Sequence, residues 1–130
     1  MADKISTRDI IWLAGLIEGE GSFLWHSTGA GNGSYHPVVT IGMTDKDIIE
    51  RVSRIWELTS VRINRYQKRP QCKDMWRTTL TGSRAIGWMM MLYQFMGIRR
   101  KAKIREIIGN WKQIPGYPRM VFAKEAARRV

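Results

Sequence analysis

Two glutamates, Glu18 and Glu20, stand among glycines at the end of an apolar stretch, in the run Trp12-Leu13-Ala14-Gly15-Leu16-Ile17-Glu18-Gly19-Glu20-Gly21-Ser22-Phe23. Carboxylates beside free main-chain carbonyls make a hard-oxygen site, of the kind that holds Mg²⁺ through one or two carboxylates, water and substrate phosphates. An ion held in that way activates water and stabilises the leaving oxygen of a phosphodiester. Taken alone, the same two side chains would only solubilise a helix end, so the neighbourhood decides. Gly15 and Gly19 lie one helical turn apart and strip one face of side chains, which lets a second helix approach closely. No other helix in the sequence carries a matching face, and the simplest supplier is a second copy related by a two-fold axis. That pairing would bring two Glu20 ends, each beside carbonyls of negative partial charge, near the axis.

The elements that must position these groups can be read along the chain. Ser6 followed by Asp9 predicts a capping box opening a helix that runs to about Gly19. Strands are expected from Ser22 to about Ser27 and from Pro37 to Met43, joined by the glycine-rich linker Gly29 to Ser34. Thr44 with Asp47 predicts a second capped helix, apolar at Ile48, Ile49, Val52, Ile55 and Trp56. A second hairpin is expected from Val61 to Lys68 and Met75 to Thr81, with Arg69 to Asp74 as its turn. Ser83 to Met96 reads as a helix stopped by Gly97, its methionines being core packing rather than a cofactor box. Ile98 to Gln113 reads as a last amphipathic helix, with Pro115, Gly116 and Pro118 ending it. The expected fold class is α+β, one domain over residues 1–113 with helices on one face of an antiparallel sheet, followed by a basic tail, 114–130.

Composition narrows the partners. The 130 residues carry 22 Lys and Arg against 11 Asp and Glu, a net charge of +11, which favours a polyanion. The charge is segregated: residues 1–60 hold five basic and eight acidic side chains, and residues 61–130 hold seventeen and three. With one cysteine, Cys72, no intrachain disulfide is possible. The longest apolar run, Ile10 to Ile17, is far below the roughly 20 residues of a membrane span. A soluble, intracellular protein with no membrane partner and no small-molecule substrate is the expectation.

Strand alternation predicts what the open sheet face presents. With Phe23, Trp25, Val39, Ile41, Val61, Ile63, Trp76, Thr78 and Leu80 turned to the helices, the outward set is Ser22, Leu24, His26 and Thr28; His36, Val38 and Thr40; Arg62, Asn64, Tyr66 and Lys68; and Met75, Arg77 and Thr79. Side chains of these types read base edges and grip phosphates, and a β-ribbon is narrow enough to enter the major groove. Leu24, Val38 and Met75 would suit thymine methyls.

Leu13 to Gly21 resembles the signature of the LAGLIDADG homing endonucleases, with Glu18 and Glu20 where the pattern has aspartates and Gly19 for its alanine. The order of elements extends the resemblance over about residues 6–113. A single copy of the motif resembles the homodimeric branch of that family. The resemblance implies an α-β-β-α-β-β-α layer with a saddle-shaped sheet. Two copies would cut double-stranded DNA across the minor groove, leaving staggered ends at a long, partly palindromic site. It implies Glu20 as the catalytic metal ligand, with the Gly19 carbonyl as a second, for Mg²⁺ with Ca²⁺ or Mn²⁺ able to substitute. Glu18 would serve the helix end, and Leu13, Gly15, Leu16 and Gly19 the dimer interface. Family members add a polar residue at the end of the second strand, where this chain has Met43 followed by Thr44. They also add a basic residue near the start of the late helix, for which Arg99, Arg100, Lys101 and Lys103 are candidates. Lys101, Arg99 and Thr44 are placed with the catalytic set, and Arg100 and Lys103 with the DNA contacts. Met43 keeps a second reading open, a non-cutting relative such as an RNA-splicing maturase or a DNA-binding regulator.

Overall fold

The computed structural model describes residues 5–27, 34–58, 62–64 and 74–114, with the backbone alone described for 62–64. Helix α1 spans Thr7–Glu20 and opens on the expected capping box. The Asp9 amide donates to Ser6 Oγ at 3.1 Å and the Ser6 amide to Asp9 Oδ2 at 3.3 Å, which satisfies donors the helix itself cannot pair. Hydrogen bonds from the Ser6 side chain and backbone, helped by Arg51, hold the Asp9 carboxyl below its ordinary value of 3.8. A depressed carboxyl stabilises the fold above its unfolded-state value and loses that contribution as pH falls through the folded one. Ser6→Ala is therefore expected to cost about 1 kcal/mol at neutral pH. The gap in Tm between variant and parent should narrow below about pH 3.8 in an acid melting series.

Gly21 ends α1 with its N–H bonded to the Ile17 carbonyl and starts strand β1, Gly21–Ser27. The glycine answers a need for space: a Cβ there would lie 2.8 Å from Ile17 Cδ1 and 3.0 Å from Ile17 Cα. Strand β2 follows at Tyr35–Met43 and helix α2 at Lys46–Ile55. The expected Thr44 cap does not form; Asp45 is the N-cap and makes no side-chain cap hydrogen bond. Strand β3 is Arg62–Asn64, β4 is Met75–Thr81 and α3 is Gly82–Leu92. Gly82, at φ 70°, turns the chain from β4 into α3 through the left-handed region that glycine enters freely. A short 3₁₀ turn at Tyr93–Phe95 follows α3, so the helix expected to reach Met96 tightens four residues earlier. Helix α4 is Ile98–Lys112.

The four strands form one antiparallel sheet in the order β1-β2-β4-β3, with β2 and β4 in its middle. One face buries Phe23, Val39, Ile41, Thr78 and Leu80, as alternation predicts. Against it pack Leu13 and Ile17 of α1, Ile49 and Val52 of α2, Met89 and Leu92 of α3, and Ile104 and Ile107 of α4. Each such aliphatic burial stabilises the fold by about 1.5–3 kcal/mol. The helices thus stack on one side of the sheet and leave the other open. No helix among the described residues is long and apolar enough to cross a membrane.

Candidate active site and nucleic-acid face

The carboxylate-bearing end of α1 is held by contacts from a distant helix. Acidic residues at a helix C-terminus oppose its dipole, and no basic residue lies in the last turn of α1 to offset them. Arg100, from the first turn of α4, supplies the offset. Its Nε donates to the Glu18 carbonyl at 3.1 Å and its Nη1 to the Gly21 carbonyl at 2.7 Å, and Nε lies 3.6 Å from Glu18 Oε2. The Glu18 carboxylate in turn accepts the N–H of Gly97, the N-cap of α4, at 3.2 Å. A carboxylate at that N-terminus is favoured by the dipole of α4. A Cβ at Gly97 would sit 2.9 Å from Glu18 Oε1, so a larger residue there would push the carboxylate from its present place. Two helix ends are thereby stapled to each other, with Glu20 held between the clamped residues.

Glu20 itself is exposed, and no hydrogen bond or ion pair among the described residues engages its carboxylate. The donor set fits a hard divalent ion that is completed by water and phosphates. One carboxylate is free, a main-chain carbonyl at Gly19 lies at the negative end of a helix, and the second carboxylate is spent on Arg100 and Gly97. No group of three or more His, Cys, Asp or Glu able to hold a metal occurs among the described residues.

The structure separates the basic candidates of α4. Lys101, expected to serve the chemistry, is instead turned onto the Tyr93 ring, with Nζ 5.4 Å from its centroid. Arg100, expected among the DNA contacts, is the cation that reaches the motif, and its side chain is only 12% exposed. One step along a helix rotates a side chain by about 100°, so the two neighbours meet different partners. Arg99 and Lys103 line a groove of about 400 Å³ between α4 and β1, together with Ser22, Leu24 and Glu106. Arg100→Ala would leave the Glu18 and Gly21 carbonyls without their donor, at an expected cost of about 1–3 kcal/mol. Differential scanning calorimetry should register a clear drop in Tm, whereas Lys101→Ala should change it little.

The expected interface needs one correction. Gly15 and Gly19 lie on the exposed side of α1, where a Cβ would meet nothing within 4 Å, and Leu16 is half-buried. Leu13, placed there by the resemblance, is fully buried in its own chain's core and has no surface to offer a second copy.

On the open face, Leu24, His26, His36, Val38, Thr40, Arg77 and Thr79 line a shallow groove of about 570 Å³, and no carboxylate is among the described residues that line it. His26 and His36 are register partners with ring centroids 6.2 Å apart. Val38 and Thr40, expected to touch DNA, are 5% and 7% exposed because β2 is flanked by β1 and β4. Val38 therefore has little methyl surface to present, and Thr40 spends its hydroxyl on Thr79, Thr78 and Arg77. Met75 is half-buried near Gly42. Arg62 and Asn64 stand in β3 opposite Arg77 and Met75. Thr28, Tyr66 and Lys68 lie outside the described residues. Thr44 is exposed just past β2, and Met43 packs against the core. Register places Ile41 opposite Gly21, which brings the end of β2 alongside the end of α1.

This arrangement is a known one. The chain superposes on the homing endonuclease I-CvuI, solved with the I-CreI target, at a TM-score of 0.64 and 16% identity, over 90% of this chain and 74% of that one. It superposes on the archaeal intron-encoded homing endonuclease I-Vdi141I, complexed with DNA, at 0.56 and 15%, over 95% and 84%. Against the LAGLIDADG homing endonuclease I-GzeII, bound to its DNA target, the values are 0.51 and 14%, over 88% of this chain and 41% of that one. No family model matches the chain, and no curated protein matches it in sequence. The chain has the fold of the LAGLIDADG homing endonucleases.

Proposed function

We propose that two copies of this chain form a site-specific DNA endonuclease that makes a staggered double-strand cut in a long, partly palindromic target by divalent-metal-dependent hydrolysis. The observation that carries the reading is an exposed Glu20, engaged by no other group among the described residues, at the end of a helix whose glycine face none of the described residues covers. Glu20 and the Gly19 carbonyl would hold Mg²⁺, with Ca²⁺ or Mn²⁺ able to take its place. When bound, the ion would supply water activation and stabilise charge on the leaving oxygen. The chain's own residues do the rest. Arg100 and Glu18 fix the helix end so that the Glu20 carboxylate stays where the duplex meets it. The open sheet face seats the duplex, and Arg99 and Lys103 beside β1 meet phosphates as the backbone passes the cut.

A non-cutting relative, maturase or regulator, is favoured by one feature, the apolar Met43 packed against the core where a polar group would be expected. Incubation with a randomised pseudo-palindromic duplex library, with and without Mg²⁺, separates the two. Mg²⁺-dependent, symmetric cut ends are the expected result. Enrichment of a bound site that is never cut would transfer the protein to the second class.

A further inference from the structure

We infer that Arg77 is a fixed reader of guanine, so that the target carries a guanine at one position in each half-site. The inference rests on the DNA-binding reading above and adds to it the base that one side chain selects. Arg77 pairs in register with Gly42 of β2, and the missing side chain at 42 leaves the strand bare beneath the guanidinium. A Cβ at 42 would come within 3.1 Å of Arg77 Nη2 and 3.2 Å of Cζ, and 3.4 Å of Met75 Sδ. Nη1 donates to Thr40 Oγ1 at 3.2 Å. Thr40 is held in its turn, with its hydroxyl 2.9 Å from Thr79 Oγ1 and 3.3 Å from the Thr78 carbonyl. The head of a long, flexible side chain is thus set in place during folding, and a ligand is spared the entropy of ordering it.

The charge is set in place without being neutralised. None of the ion pairs among the described residues includes Arg77, and no carboxylate is among the described residues that line the groove it faces. The register also sets Arg62 of β3 directly opposite it. Thr40 takes one guanidinium N–H, and the others stay available for a planar, two-acceptor edge. Guanine presents that edge, N7 and O6, in the major groove, and Arg is its commonest partner. A phosphate would also accept the fork. However, β2 and β4 are the inner strands of the sheet, and with the sheet laid in the major groove it is they, rather than its edges, that would face the base edges.

The test is binding selection by the full chain in Ca²⁺ from a randomised palindromic duplex library, with the salt dependence of affinity measured on the winning site. The parent protein is expected to enrich guanine at one symmetric pair of positions. Arg77→Lys keeps the charge and loses the fork, and Gly42→Ala displaces the fork. Each should flatten that pair of positions alone, by roughly five- to a hundred-fold in discrimination. The salt slope should stay the same. Guanine preference unchanged in both variants would overturn the inference, as would an Arg77→Ala variant that keeps the preference but loses about one unit of salt slope, the mark of a phosphate contact. If the parent enriches no duplex at all, the DNA-binding reading fails first and this inference with it. That result is distinct from binding without guanine selection.

Discussion

Glu20→Gln is expected to lower Mg²⁺-dependent cleavage by roughly a thousandfold or more, because a catalytic divalent ion is worth several kcal/mol and each 1.4 kcal/mol or so is a factor of ten. The substitution keeps the shape of the side chain and removes the carboxylate at the end of α1 that no other group among the described residues engages. Target binding in Ca²⁺ should persist, since the open sheet face and the grooves that would seat the duplex do not include Glu20. Stability should move the other way. A negative charge at a helix C-terminus opposes the dipole, so neutralising it is expected to stabilise the fold by a few tenths of a kcal/mol. Single-turnover cleavage, fluorescence anisotropy and a thermal melt on the same preparation report all three. A variant that cuts at the parental rate would remove Glu20 from the chemistry. One that loses activity together with Tm would show that Glu20 acts through the fold.

The paired substitution Gly15→Ala and Gly19→Ala should divide a monomer from a dimer. Among the described residues of one chain, a Cβ at either position meets nothing within 4 Å. Glycine inside a helix costs about 0.5–1 kcal/mol relative to alanine, so the isolated fold should gain about 1–2 kcal/mol from the pair. If a second copy of α1 packs on this face, the added methyls intrude on a close approach at four places in the assembly. Overpacking of about 1–3 kcal/mol at each such place would weaken dimerisation on the order of a thousandfold or more. Sedimentation equilibrium measures the dissociation constant, and double-strand cleavage at low protein concentration should fall with it. A double variant that melts higher and self-associates as tightly as its parent would place the interface elsewhere.

Much of the site was legible in the residues because much of it is local. The Ser6 and Asp9 cap, the bare stripe at Gly15 and Gly19 and the inward set Phe23, Val39, Ile41, Thr78 and Leu80 follow from helix and strand periods, which neighbouring residues impose on one another. The Thr44 cap failed for the same kind of reason, since Asp45 offers a rival N-cap one residue on. Gly42 carried a legible signal, because a glycine inside a strand marks a close approach. What approaches it could be named only once β4 was known to lie beside β2.

The sequence by itself determined which helix carries the carboxylates, which of its faces is bare and which strand residues share a side. Only the tertiary structure decided that Arg100 and not Lys101 reaches the motif, that Leu13 is spent on its own core, and that Val38 and Thr40 are covered on an otherwise open face. These outcomes depend on the rotation of α4 against α1, across contacts separated by 79 and 82 residues, and on the strand order that puts β2 in the middle. Local periodicity fixes where a side chain points relative to its own element. Which partner it meets is settled by packing between elements that the chain brings together from far apart.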